Sequence, residues 1–320
     1  MDENVMSFQK FDYRVRLNKS AERRMFIEIF RRLSFFEQLE YYKYIGFGST
    51  TFTDFILFHK ALNINDMVSI EKRREYENRF NFNIPFDCVK IKYGESNEVL
   101  PQIEWNKRAV VWLDYDGKLT SSVLRDTYLV STKIKSGSIL ITTVNAEPYK
   151  KMSLAETFKK FKRDLEPEII PAHIKANDLC GEKLALTCKK IISTYVHDAL
   201  KVRNGILPPD QKIEYKSLFN FTYKDGAKML TVGGIFVAVK EKDTFEKCKF
   251  DKLNFVCKED ESLFEIKVPV ITPRERHYLD QRLPRGASHE AETIGLLKDE
   301  IENYKRLYRY CPNFAEVELV

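Results

Sequence analysis

The chain has 320 residues, 43% hydrophobic and 31% charged, with 12 glycines and 11 prolines, which agrees with a globular protein that has ample material for a core. No apolar run approaches the roughly 20 residues needed to cross a bilayer, and the amino terminus Met-Asp-Glu-Asn lacks the basic and apolar regions of a signal peptide, so a cytoplasmic protein without membrane contact is predicted. The six cysteines (88, 180, 188, 248, 257 and 311) form no Cys-x-x-Cys and indicate neither a zinc site nor a disulfide framework, and the net charge of +6 permits an anionic partner without demanding one.

The first element is a helix near the amino terminus. Met25, Phe26, Ile29, Phe30 and Leu33 recur at the spacing of one buried helical face, and Ser20 can cap it. Residues 13–34 also hold the sharpest excess of positive charge: Arg14, Arg16, Lys19, Arg23, Arg24, Arg31 and Arg32 against Glu22 and Glu28. Two readings are open. One is a solvated face with Glu28 paired to Arg24 and Arg32 at four-residue spacing. The other is an arm contacting the phosphates of a nucleic acid through Arg14, Arg16, Arg23 and Arg24.

A strand over 41–46 follows, then a helix over 52–62 with apolar Phe52, Phe55, Ile56, Phe58 and Leu62, and a strand over 67–71. Residues 88–92 alternate apolar and polar as a third strand. The continuous apolar run 109–113 suits a fourth strand buried on both faces, and 138–144 supplies a fifth. Strands at this spacing with helical stretches between them predict βαβ units and a parallel sheet. Residues 151–204 are helix-rich, with helices over 154–165 and 183–202 around the proline-bearing stretch 166–171. Beyond them, 212–223 and 228–239 alternate on either side of Asp225-Gly226, the signature of a hairpin that closes the sheet. The remainder holds a short helix after Thr272-Pro273 and an amphipathic one over 291–309. The predicted organisation is a basic amino-terminal helical segment (1–40), a Rossmann-like half (41–150), a helical insertion (151–204), a hairpin segment (205–267) and a carboxyl-terminal helical extension (268–320).

Four strand ends carry the chemistry. In Gly46-Phe47-Gly48-Ser49, glycines without Cβ atoms let a ligand approach the backbone, and the helix that follows offers unpaired N–H groups. Thr51 and Asp54 form an approximate capping box there. The lysine of a phosphate loop is absent, so nucleoside triphosphate hydrolysis has no support. Glu71 lies 23 residues beyond Gly48 at the end of the next strand, where a carboxylate can accept hydrogen bonds from ribose hydroxyls. Tyr93-Gly94-Glu95-Ser96 ends the third strand, and Leu113-Asp114-Tyr115-Asp116-Gly117 ends the fourth.

In order and spacing these motifs resemble the class I S-adenosylmethionine-dependent methyltransferases, over residues of about 40–145 and again in the hairpin 212–239. The resemblance implies a doubly wound, mostly parallel α/β sheet closed by an antiparallel hairpin, with S-adenosylmethionine as cofactor and an oxygen or nitrogen acceptor. It implies cofactor contacts from Gly46, Phe47, Gly48, Ser49, Glu71, Glu95, Ser96 and Asp114. Tyr44 stands where that family usually has an acid, and Thr50 replaces its third glycine; Asp54 is a candidate substitute for the missing acid. Asp114 and Asp116 admit three readings: ligands of a divalent cation, metal-free catalytic carboxylates facing the acceptor, or a turn in which Asp114 caps the next helix. Asn145 follows the fifth strand, but Val144 stands where a companion acid would complete a metal site, so no metal ligand is assigned. Asp-Tyr-Asp-Gly also replaces the Asp/Asn-Pro-Pro-aromatic motif of base-methylating enzymes, which argues against base methylation. The alternatives are a methyltransferase-like binding protein without turnover and a nucleic-acid-associated protein.

Overall fold

The computed structural model describes residues 16–149, 151–166, 170–171, 174–257, 262–286 and 294–312. In chain order the elements that matter here begin with α1 (Leu17–Arg31), β1 (Lys43–Gly46), α2 (Thr53–Leu62), β2 (Asp66–Glu71), α3 (Glu77–Phe82), β3 (Val89–Tyr93), α4 (Ser96–Val99), β4 (Ala109–Asp114), α5 (Ser121–Lys133) and β5 (Ser138–Asn145). They continue with α6 (Leu154–Leu165), α7 (Lys183–Asn204), β6 (Ile213–Lys224), β7 (Lys228–Ala238), α8 (Lys242–Lys247), β8 (Phe264–Ile266), α9 (Pro273–Asp280) and α10 (Lys298–Leu307).

All eight strands join one sheet in the order β3-β2-β1-β4-β5-β7-β6-β8. β1 to β5 run parallel, β7 runs antiparallel to both β5 and β6, and β8 adds parallel to β6 at Phe221–Tyr223. This is the doubly wound sheet closed by a hairpin. β8 is absent from the sequence reading because three residues are too few to carry a period-two pattern. After β1 the chain builds outward through β2 and β3, then returns to place β4 on the opposite flank of β1. Connections leave in both directions there, so a crevice opens at the carboxyl ends of β1 and β4.

The apolar run of β4 is buried from Ala109 to Leu113, with half-buried Asp114 at its end. Phe26 and Phe30 of α1, Phe55 and Phe58 of α2, Trp112, Phe219 and Phe221 form the core on one face, with Phe26 edge-on to Trp112 at 5.0 Å. Tyr304 and Leu307 of α10 belong to the same cluster. The other face buries Ile45, Val68, Ile70, Val111 and Leu140 against Val130 of α5 and Val196 and Leu200 of α7. A third cluster joins Phe161 and Leu165 of α6 to Leu184 and Ile191 of α7 and to Leu119, Leu124 and Val144 at the carboxyl edge.

Helix α1 departs from expectation in two ways. Its amino end is held by the hairpin turn rather than by Ser20: Asp225 accepts from the Asn18 backbone N–H at 3.2 Å and from that of Lys19 at 2.9 Å. Asn18 Oδ1 in turn accepts from the Val268 N–H at 2.7 Å. Its charged residues are not all on a solvated face either. Lys19, Glu22 and Arg23 are buried, because the helix is covered on more than its apolar stripe. Glu28 pairs with Arg31 at 3.4 Å, while Arg32 donates to the carbonyls of Cys248 and Lys249 at 2.7 and 2.8 Å. At the other end of the chain, helix α10 is shorter than the 291–309 reading, of which 291–293 lie outside the described residues.

Candidate cofactor site

The glycine turn after β1 is tied directly to the end of β2. Gly48 N–H donates to Ser69 Oγ at 3.1 Å, and Ser69 Oγ donates to Glu71 Oε1 at 3.1 Å. A Cβ on Gly48 would stand 2.5 Å from Ser69 Oγ and 2.6 Å from Glu71 Oε1, and one on Gly46 would stand 2.7 Å from the Tyr44 hydroxyl. Side chains are therefore excluded where the backbone meets this cluster. Burial raises the Glu71 carboxyl to about 7, against the opposing pull of the Ser69 and Gly48 hydrogen bonds. The turn itself is braced by Ser49 Oγ on Thr51 Oγ1 at 2.8 Å and Thr51 Oγ1 on Thr53 Oγ1 at 3.0 Å. The expected capping box does not form: α2 starts after Phe52, whose left-handed backbone (φ 46°) makes the sharp entry, with no side-chain cap.

The turn after β3 joins the same edge. Gly94 N–H donates to the Glu71 carbonyl at 3.0 Å. Glu95 is exposed and caps α4 together with Glu98, whereas Ser96 Oγ donates to Asp126 of α5. Tyr115 donates to the same Asp126 oxygen at 2.6 Å, and its ring meets Phe47 edge-on at 5.0 Å. Phe47, Tyr115, Asp126 and Ser96 thus bind three loops into one wall. Asp126 was not singled out in the sequence, although a carboxylate between Val123, Leu124, Thr127 and Val130 on an otherwise apolar helix face is a readable signal.

The end of β4 is occupied from an unexpected direction. Lys19 of α1, 1% exposed, donates to Asp114 Oδ1 at 2.8 Å and to the Tyr223 hydroxyl at 3.0 Å. Its ammonium lies 4.2 Å from the centre of the Trp112 ring and 3.0 Å from a Glu22 carboxylate oxygen. Burial acts to lower the Lys19 ammonium, but Asp114, Glu22 and Tyr223 outweigh it and raise it above its ordinary value. Burial raises Glu22 as well. Beneath them Trp112 Nε1 donates to Thr143 Oγ1 at 3.0 Å, and Thr143 meets Thr231 at 3.0 Å. One turn along α1, Arg23 forms a buried ion pair with Asp54 of α2. Asp54, the candidate substitute for the missing acid, is therefore already charge-paired. Tyr44, also buried, lies within the fields of Asp54, Asp114 and Arg23.

The reading in which Asp114 caps the next helix is corrected, because Thr120 caps α5 through Val123 N–H. Asp116 is exposed in the loop after β4. Asn145 Oδ1 accepts from Lys118 Nζ at 3.1 Å, which puts an ammonium against that side chain. Among the described residues no group of three or more His, Cys, Asp or Glu could hold a metal ion, and no helix is long and apolar enough to cross a membrane. The nucleic-acid arm also changes. Arg23 is turned inward, so it cannot serve a phosphate backbone; Arg16 is half-buried, Arg24 is exposed, and Arg14 lies outside the described residues. Two cavities, of about 570 and 420 Å³, lie at the opposite edge of the sheet, lined by residues such as Tyr215 and Ser217 in one and Ser136 and Ile213 in the other.

A family model described as "Putative O-methyltransferase" matches residues 11–319. The chain belongs to this O-methyltransferase family. No curated protein sequence matches it. Solved structures similar to this family member include the O-methyltransferase TomG from Streptomyces achromogenes in complex with SAM (13% identity, 67% of this chain and 79% of that one, TM-score 0.36). They also include the O-methyltransferase from Bacillus cereus in complex with SAH (14% identity, 67% and 80%, TM-score 0.35) and Trm1 from Pyrococcus horikoshii with S-adenosyl-L-methionine (11% identity, 70% and 56%, TM-score 0.45).

Proposed function

We propose that the protein transfers a methyl group from S-adenosylmethionine to an oxygen acceptor. The observation that carries this reading is the Gly48–Ser69–Glu71 cluster at the switch point of the sheet, in a chain of an O-methyltransferase family. The residues present fit the cofactor. Gly48, where a Cβ would stand 2.5 Å from Ser69 Oγ, brings bare backbone against the Glu71 carboxylate, and such a carboxylate can accept ribose hydroxyls. Gly46, Phe47, Gly48 and Ser49 bring backbone to the ligand, the amino end of α2 offers N–H groups, and Ser96 with Tyr115 and Asp126 forms the wall on the base side.

When bound, S-adenosylmethionine supplies an electrophilic methyl on a cationic sulfonium. The chain's own residues orient the acceptor towards it. Asp114, 21% exposed at the end of β4, accepts a hydrogen bond from the acceptor hydroxyl and takes its proton as the new bond to the methyl carbon forms, with exposed Asp116 in the same loop. Calorimetric titration with S-adenosylmethionine and S-adenosylhomocysteine tests the reading. Micromolar binding that Glu71→Ala weakens by about ten-fold or more supports it, and no binding of either ligand to the folded protein overturns it.

A further inference from the structure

The chain carries its own cation to the end of β4. We propose that Lys19 is a positioning residue, whose ammonium takes up the charge of Asp114 through Oδ1 and leaves Oδ2 as the oxygen that Asp114 offers to the crevice. This rests on the methyltransferase reading and adds to it a residue from outside the cofactor half of the sheet.

Three observations carry it. The ammonium is buried and its geometry is fixed on four sides, by Asp114 on β4, Glu22 on the same helix, Tyr223 on β6 and the Trp112 ring beneath. A flexible surface lysine has no such constraint. Asp114 Oδ2 has no hydrogen-bond donor among the described residues, while the side chain keeps 21% exposure, so one oxygen is fixed and the other is available. Finally, the helix that carries Lys19 is itself held in place by Asp225 and by Val268 N–H, which set the position of the ammonium from two further segments.

The purpose is electrostatic. A bare carboxylate beside a sulfonium would stabilise the charged donor, and that stabilisation would fade as the positive charge is lost on methyl transfer. Binding strength gained only before the reaction raises the barrier. With Lys19 on Oδ1, Asp114 keeps its orientation and a hydrogen-bond acceptor but presents less charge than a bare carboxylate.

The test needs no acceptor, because S-adenosylmethionine is cationic at sulfur and S-adenosylhomocysteine is not. Affinities for both are measured by calorimetry on the full chain for wild type, Lys19→Met, Lys19→Arg, Asp114→Asn and the double variant. Lys19→Met leaves the carboxylate uncompensated and shifts the affinity ratio towards the charged ligand by roughly ten-fold, the order expected of one partly buried charge. Lys19→Arg keeps the wild-type ratio. Asp114→Asn removes one of the two carboxylates that face the ammonium and shifts the ratio the other way, and adding Lys19→Met to it moves the ratio back. The comparison of Asp114→Asn with the double variant stands even where Lys19→Met alone does not fold. A purely structural lysine would weaken both ligands equally and leave every ratio unchanged, which overturns the proposal while the methyltransferase reading stands. Wild type that binds neither ligand overturns both.

Discussion

Two polar clusters flank the glycine turn, and they are built by opposite means. The Gly48–Ser69–Glu71 cluster comes from one βαβ unit, within 23 residues, and its carboxyl, raised to about 7, populates both protonation states near neutral pH. The cluster around Asp114 and Asp54 is assembled from α1, α2, β4 and β6, and these two carboxylates face an ammonium and a guanidinium from a single helix. The first can change charge when a ligand arrives. In the second, the cations are built in by the fold. A cofactor that carries hydroxyl groups at one end and positive charge at the other fits that division.

The comparison breaks most visibly at Arg23. Replacing it with Met strands Asp54 as an unpaired buried charge, with an expected loss of about 3–5 kcal/mol. Thermal unfolding should show a melting temperature lower by on the order of 10 °C, and adding Asp54→Asn should recover much of it. The local cluster should behave differently. Glu71→Ala is expected to weaken S-adenosylmethionine by about ten- to a hundred-fold, the scale of lost charge-assisted hydrogen bonds, with little change in melting temperature. Equal affinities in calorimetry would remove Glu71 from the site.

The same residue sets a pH dependence. With the Glu71 carboxyl raised from 4.5 to about 7, its contribution to folding is fully present below about 4.5 and is lost as pH rises through about 7. Binding runs in the opposite sense, because the ribose hydroxyls need the carboxylate. S-adenosylmethionine affinity should rise with pH up to about 7, by as much as roughly ten-fold per unit below it, and Glu71→Gln should flatten the profile. The smallest effect belongs to the cap of α1. Asp225→Ala is expected to cost about 1 kcal/mol, read as a few degrees in a melting curve, with Glu71-dependent binding intact.

The contrast between the clusters also explains what the sequence could reveal. Strands β1 to β5 were legible because a buried parallel strand is an apolar run and its end is a glycine or acidic turn; the expected limits differ from the observed ones by two residues or fewer. Gly48 and Glu71 were legible as neighbours because a βαβ unit brings consecutive strand ends together. Lys19 and Arg23 were not. Helical periodicity identifies an apolar face, but it cannot distinguish a solvated cation from one whose partner lies 95 residues away, as Asp114 does from Lys19. The cap of α1 was missed for the same reason, since Ser20 was the local candidate and Asp225 is supplied from across the molecule. Asp126 is an intermediate case. Its position on a helix was visible, but the two loops that converge on it were not.

Helix α1 has a temporal consequence as well. It precedes β6 and β8 in the chain, and its contacts with Tyr223, Asp225 and Val268 span 204 to 250 residues of sequence. Closures this long delay folding until most of the polypeptide is available. During synthesis, a segment bearing Lys19, Arg23, Phe26 and Phe30 must therefore wait with its future interior face uncovered, and the Asp114 end of the crevice acquires its cation only when the last strands have been made.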